Sequence, residues 1–320
     1  MPEFRHQTVL PEEAVDALKI CPEGVYIDAT LGGAGHALKI AAAMDETGLL
    51  VGIDQDQLAI SAARERLRGV KPRVELFHRN FQDLQQILNE LGIDRIDGIL
   101  FDLGVSSPQL DAEERGFSYK GNAPLDMRMD QSQPFSAAHL VNTATVAELN
   151  RIIRDYGEER WSRRIALFID RRRREKPIET TGELAELIKQ AIPAAARRKG
   201  PHPARRTFQA LRIAVNRELE VLEKTLGQAI QLLKPGGRIA VISFHSLEDR
   251  IVKNTFARFA KGCQCPSSFP VCQCGQVSEL EIITKRPIVP SKNQLLENPR
   301  ARSAKLRVAE RKGLIIKGGA

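Results

Sequence analysis

The chain has 320 residues, 42% of them hydrophobic and 28% charged, with five cysteines and a formal charge of +8. Those proportions suit a folded chain with a sizeable core, and they exclude a disordered chain or one held by a disulfide framework. No apolar run is long enough to span a bilayer and the first six residues lack a signal-peptide core, so no membrane association and a cytoplasmic location are expected.

Up to about Gln109 the pattern alternates between strand and helix. Strand-like runs lie at 25–28, 49–54, 74–77 and 96–102, with helical periodicity at about 36–44, 56–68 and 83–91. Such alternation predicts a parallel sheet with right-handed crossovers. The first run ends at Asp28 and enters Ala29-Thr30-Leu31-Gly32-Gly33-Ala34-Gly35-His36. A glycine-dense loop leading into a helix is the first turn of a nucleotide-binding α/β sheet. The glycines do not keep the Gly-x-Gly-x-x-Gly spacing that cradles a pyrophosphate. An acid followed by compact glycines suits S-adenosyl-L-methionine, which carries an ammonium group and no phosphate. The second run ends in Asp54, placed to hold two ribose hydroxyls. The fourth ends in Asp102-Leu103-Gly104-Val105-Ser106-Ser107-Pro108-Gln109, where an open sheet binds its reacting groups. Asp102 is the candidate to accept N–H groups from an amine being methylated, with catalysis coming mostly from positioning.

After Leu110 the rhythm breaks. Residues 111–136 read as loop and 137–200 as helical. A long helix is predicted over about Thr207–Leu233, stopped by Lys234-Pro235-Gly236-Gly237, and a buried strand follows over 238–244. The methyltransferase-like part is therefore expected to be discontinuous, 1–110 and 205–320, around a helical insertion at 111–204. Between Arg151 and Arg206 stand 16 Lys/Arg against 8 Asp/Glu, an excess equal to the net charge of the whole chain. A basic module beside a neutral cofactor domain fits a nucleic-acid partner, with Arg171-Arg172-Arg173-Arg174 as the densest phosphate-contacting run. Trp161 reads as a core anchor of this region. His245, after the fifth strand, is expected to line the substrate side, and Glu248, Asp249 and Arg250 to fix the turn. Cys263, Cys265, Cys272 and Cys274 form two Cys-x-Cys pairs: a structural zinc site is one reading, buried thiols on a hairpin the other. The tail from Asn298 is mixed and basic and reads as either ordered or mobile.

Several phrases taken together carry a resemblance. They are His6-Gln7-Thr8-Val9-Leu10, Asp28 to His36, Asp102 to Gln109, Gly116-Phe117-Ser118, Pro124-Leu125-Asp126-Met127-Arg128-Met129-Asp130, Phe244 to Arg250, and Asn298 to Arg307. From about residue 4 to 311 the chain resembles the bacterial small-subunit (16S) ribosomal RNA cytosine-N4 methyltransferases of the MraW/RsmH type. The resemblance implies a class I, Rossmann-like S-adenosylmethionine methyltransferase fold with an inserted helical domain. It also implies methylation of a cytidine N4 amine in the decoding centre of 16S rRNA within the small ribosomal subunit. By the family pattern Ala34, Gly35, His36, Asp54, Phe81, Asp102 and Gln109 contact the methyl donor. Ala29 stands where relatives often carry cysteine or glycine, and the cysteine cluster varies among relatives. A DNA amino methyltransferase would need a Pro-Pro-aromatic motif that Asp102–Gln109 lacks. A non-catalytic ribosome-assembly factor with a vestigial loop would not bind the methyl donor, and a hydride-transfer dehydrogenase would bind NADH instead. Oligomeric state is not fixed by the sequence, a homodimer being one option.

Overall fold

The computed structural model describes residues 8–198, 200–263, 265–266, 268–271 and 273–313; His6, Gln7, Lys199 and Cys272 lie outside them. The chain divides into two compact units, residues 1–104 with 219–320, and residues 105–218.

The first unit is built on one seven-stranded sheet: β1 (Val25–Asp28), β2 (Leu49–Asp54), β3 (Arg73–His78), β4 (Ile96–Asp102), β5 (Leu233–Ser243), β6 (Leu280–Ile282) and β7 (Lys305–Arg311). Their spatial order is β3-β2-β1-β4-β5-β7-β6. The first five are parallel; β7 runs antiparallel to both β5 and β6. Side chains alternate across the sheet, and both faces are buried. Ile27, Val51, Ile99, Phe101 and Val241 join one core cluster, while Tyr26, Leu50, Leu100, Ala240 and Ile242 join another. Burial on both faces explains why these strands read as unbroken apolar runs. The expected α/β class is therefore what the chain adopts, and β1 and β4 flank the point where strand order reverses. Ligand crevices open at the carboxyl ends of such a pair.

The tail expected to be either ordered or mobile supplies β7 and so belongs inside the sheet. Its charged residues are paired across the fold: Arg307 and Lys305 donate to Asp249, and Glu310 accepts from the buried Arg238 in β5. Asp249 is held below the usual carboxylate range despite partial burial, because those two cations bond it directly.

The second unit is helical. Helices Val146–Gly157, Ser162–Glu175, Thr181–Ala191 and Arg205–Asn216 enclose Leu149, Ile153, Ile165, Ile169, Leu184 and Leu211, with Trp161 packed against them. The predicted single helix over 207–233 is two helices, Arg205–Asn216 and Glu218–Leu232, parted by Arg217 in the left-handed region at φ 51°. At the break, Asn216 bridges to a distant segment. Its side chain accepts from Met129 N–H and donates to the Met127 carbonyl, both at 2.8 Å. Arg115 donates to the carbonyls of Arg128 and Met129. Residues 115–130, read from sequence as loop, are thus a backbone knot with side-chain clamps. The units part at residues 105 and 218 and not at 111 and 204, because helix Arg205–Asn216 packs into the helical core.

The four-arginine run is not one uniform cationic face. Arg171 and Arg174 are exposed, Arg174 pairing with Asp170 at 2.8 Å, and Arg172 pairs with Glu183. Arg173 is mostly buried and donates to the carbonyls of Val141 (2.9 Å) and Ala144 (2.6 Å) at the end of helix Ala137–Thr143. Helix ends leave carbonyls without intrahelical partners, so Arg173 is a structural cap. Among the described residues no helix is long and apolar enough to cross a membrane.

Candidate functional site

At the carboxyl ends of β1, β2 and β4 the sheet gathers three carboxyl groups, Asp28 buried and Asp54 and Asp102 partly so. Asp28 is 1% exposed; its Oδ1 accepts from Thr30 N–H at 3.2 Å, and its Oδ2 is buried without a hydrogen-bond partner. Burial pushes its acid up to about 7, with the Asp54 charge adding to the effect. Asp102 has a buried Oδ1 with no hydrogen-bond partner either. Desolvation, then the charges of Asp28 and Glu248, holds its acid well above the usual range. Polar atoms buried without partners are costly, and such atoms at a sheet's ligand edge point to a group that binds there.

Asp54 is fixed differently. Its two oxygens accept from the N–H groups of Gly32 and Asp56, each at 2.8 Å. Burial raises its acid to about 6, so it is mostly ionised at neutral pH. Each carboxylate oxygen has a second lone pair, which leaves acceptor capacity for a pair of hydroxyls. The bond from Gly32 also ties the end of β2 to the glycine loop, shaping it around the carboxylate.

The loop is compressed at two positions. Ala34 takes φ 57°, in the left-handed region. A Cβ on Gly35 would lie 1.8 Å from Thr8 Oγ1, so only glycine lets the helix start this close to the N-terminal segment. His36, next in line, is buried; its Nε2 lies 3.0 Å from the Val9 carbonyl. A carbonyl only accepts, so Nε2 carries a proton, and Nδ1 faces Asp102 Oδ2 at 3.7 Å. Thr30 links the two strand ends, its Oγ1 accepting from Asp102 N–H at 2.6 Å.

Phe81 opens a short turn after β3 and meets the buried Phe101 edge-to-face, with centroids 5.5 Å apart at 88°. That contact fixes the ring plane. His245 caps helix Ser246–Lys261: its Nδ1 accepts from Glu248 N–H at 3.4 Å. Its Nε2 lies 3.1 Å from Glu248 Oε1 without the angle of a hydrogen bond. Glu248 accepts from the N–H groups of Phe244 and His245, so it does secure this turn, while Asp249 is spent on β7.

Ala34, Gly35, His36, Asp54 and Asp102 thus come from the converging strand ends and the glycine loop, and Phe81 from the turn after β3. Gln109 belongs to the helical unit, where its side-chain oxygen accepts from Ser106 N–H at 3.1 Å and closes the cap of helix Ser107–Asp111. Asp28 and Thr30 are the site residues that the family pattern does not single out. Asp28 is the strand-end acid that the glycine-loop reading already matched to the methyl donor. The role of Thr30 could not be read from the sequence, since its partner lies 72 residues away.

Cys263, Cys265 and Cys274 bring their sulfurs within 4.8 Å of one another in the loop before β6, and Cys272 lies outside the described residues.

The model of the MraW methylase family matches residues 3–312. A Brevibacillus brevis protein named ribosomal RNA small subunit methyltransferase H is 56% identical over 308 residues, covering 96% of this chain and 98% of the relative. A protein of the same name from Clostridioides difficile is 55% identical over 309 residues, covering 97% and 99%. Another, from Geobacter sp., is 56% identical over 311 residues, covering 97% and 100%.

Proposed function

The chain belongs to the MraW methylase family, and from that premise we propose that it methylates small-subunit ribosomal RNA with S-adenosylmethionine, at the N4 amine of a cytidine in the decoding centre. The observation that carries the reading is the pair of buried, unpartnered carboxyl oxygens on Asp28 and Asp102 beside a compressed glycine loop and a fixed Asp54. These residues fit the methyl donor: Asp54 offers acceptors for the ribose hydroxyls, Gly32 to Gly35 allow close backbone approach, and Phe81 offers a ring for adenine. The acids complement its positive charges. When bound, S-adenosylmethionine supplies a methyl carbon made electrophilic by the adjacent sulfonium.

The work left to the chain is positioning. A cytosine amine is conjugated with its ring, so its lone pair must be turned toward the methyl carbon. Asp102, as an acceptor of the amine N–H, does this and stands ready for the proton the nitrogen sheds as the N–C bond forms. The backbone bond from Asp102 to Thr30 keeps the carboxyl at the strand end.

The raised acids make binding pH-dependent. A cation placed beside Asp28 and Asp102 favours their ionised forms, so occupied sites hold fewer protons than empty ones. Binding is expected to release protons, and affinity to weaken as pH falls below about 7, where Asp28 titrates. Calorimetry in buffers of differing ionisation enthalpy measures the release; uptake, or none, would contradict the placement. S-adenosylhomocysteine, lacking the sulfonium, is expected to release fewer protons.

The exposed cations of the helical unit are assigned to RNA phosphates. Reversing Arg171 and Arg174 to Glu is expected to flatten the salt dependence of RNA binding by about one to two phosphate contacts' worth of slope. Stability should fall only slightly, through loss of the exposed Arg174–Asp170 pair. Arg173→Ala should do the opposite, costing about 1–3 kcal/mol by leaving the Val141 and Ala144 carbonyls unmet. Filter binding across a salt series and denaturant melts separate the two effects.

The direct test incubates the protein with S-adenosylmethionine and unmethylated small subunits, digests the RNA and identifies the methylated nucleoside by mass spectrometry. N4-methylcytidine at one decoding-centre position is expected. A methyl group on another base or atom, or none, overturns the proposal.

A further inference from the structure

The described residues among 262–279, which join helix Ser246–Lys261 to β6, form no regular structure, and they expose Phe269, Val271 and Val277. A segment this long with so little core of its own needs something else to hold it. Its two ends are already close. Gly262 takes φ 69°, and a Cβ there would lie 2.6 Å from Ser278 N. Glu279 N–H donates to the Phe259 carbonyl at 2.9 Å.

Just inside that neck the thiols converge from both arms, Cys263 and Cys265 from one and Cys274 from the other. The sulfurs of Cys263 and Cys274 are 3.8 Å apart. Four sulfurs bound tetrahedrally at about 2.3 Å from zinc are spaced about 3.8 Å along each edge. Cys265 Sγ meanwhile accepts from two successive backbone N–H groups, of Gln273 and Cys274, each at 3.3 Å. Such donors favour an electron-rich sulfur, the form that ligates a metal. None of this lies among the residues that shape the cofactor crevice.

We propose that Cys263, Cys265 and Cys274 bind a zinc ion that fastens the two arms of this loop. Three soft thiolates select a soft or borderline cation over calcium or magnesium. Any thiol that is protonated beforehand gives up its proton on binding. The ion is structural, and its ligands hold it whether or not the chain transfers methyl groups.

The full chain, purified reduced and without chelator, is expected to carry about one zinc per molecule by plasma mass spectrometry. Cys265→Ser and Cys274→Ser should each lower that content at least about fivefold, and Cys21→Ser, outside the cluster, should leave it unchanged. Because a serine variant can lose zinc by misfolding, the unaltered chain is also stripped and titrated with cobalt(II), which should develop thiolate-to-cobalt absorption at one equivalent. Binding of S-adenosylmethionine should persist in the serine variants. A zinc-free chain that gives no thiolate–cobalt band, or undiminished zinc in Cys265→Ser and Cys274→Ser, overturns the proposal.

Discussion

Replacing Asp102 with alanine is expected to lower methyl transfer by about 100-fold or more under saturating methyl donor, while the protein stays folded. The two halves of that result have separate causes. Transfer should fall because the group proposed to orient the amine and receive its proton is gone. Folding survives because the Asp102 contact that ties the loops together is its backbone N–H on Thr30, which alanine keeps. Removing a desolvated acid flanked by Asp28 and Glu248 also relieves repulsion, so the melting temperature should hold or rise. Asp102→Asn keeps the volume and one neutral acceptor, and it should fall between wild type and alanine. Single-turnover transfer to small subunits, read beside a thermal melt, measures both. Wild-type transfer by the alanine variant would remove Asp102 from the chemistry.

Gly116→Ala is expected to be the most damaging single methyl group in the helical unit, costing about 4 kcal/mol or more. Gly116 sits at φ 68°, and an added Cβ would lie 2.3 Å from the Pro124 carbonyl oxygen and 2.7 Å from Asp126 N. Those neighbours are backbone, held by Leu125 N–H on the Glu179 carbonyl, by Ala137 N–H on the Asp126 carbonyl and by the Arg128–Asp126 ion pair at 2.6 Å, so they cannot swing aside. Gly121→Ala gives the comparison: φ is 104°, yet the nearest atom is Glu113 Oε1 at 3.7 Å, so only the conformational cost applies. Gly227, within helix Glu218–Leu232, has nothing within 4 Å of its added Cβ. Alanine there should stabilise by about 0.5–1 kcal/mol. Denaturant melts of the three variants should rank accordingly; a Gly116→Ala loss no larger than that of Gly121→Ala would mean the knot yields.

The parts of this fold written plainly in the sequence are those whose environment is uniform. β1, β2 and β4 are buried on both faces, so each is a short apolar run ending in an acid, and chain order alone placed those acids at one edge. β7 is harder to see because Lys305, Arg307 and Glu310 are charged, and their partners Asp249 and Arg238 lie more than fifty residues away. The break at Arg217 was hidden for a related reason. Local propensity favours continuing the helix, while the gain from Asn216 bridging Met127 and Met129 is tertiary. The arginine run shows the converse error. Four identical letters suggested one role, yet burial separates Arg173 from Arg171 and Arg174. In the site, Asp54 and Asp102 were legible from position, whereas the protonation of the acids depends on burial that no spacing encodes.

The place of β7 has a consequence for how the molecule is made. This strand lies between β5 and β6, so the sheet has a gap until residues 305–311 leave the ribosome. The helical unit, in contrast, is one continuous stretch, 105–218, complete well before β7 is synthesised. Translation therefore favours an order in which the helical unit matures first and the sheet is sealed only when β7 emerges. Until then β5 keeps an open edge, with Arg238 awaiting Glu310, and the nascent chain is most vulnerable to strand-to-strand aggregation in that interval.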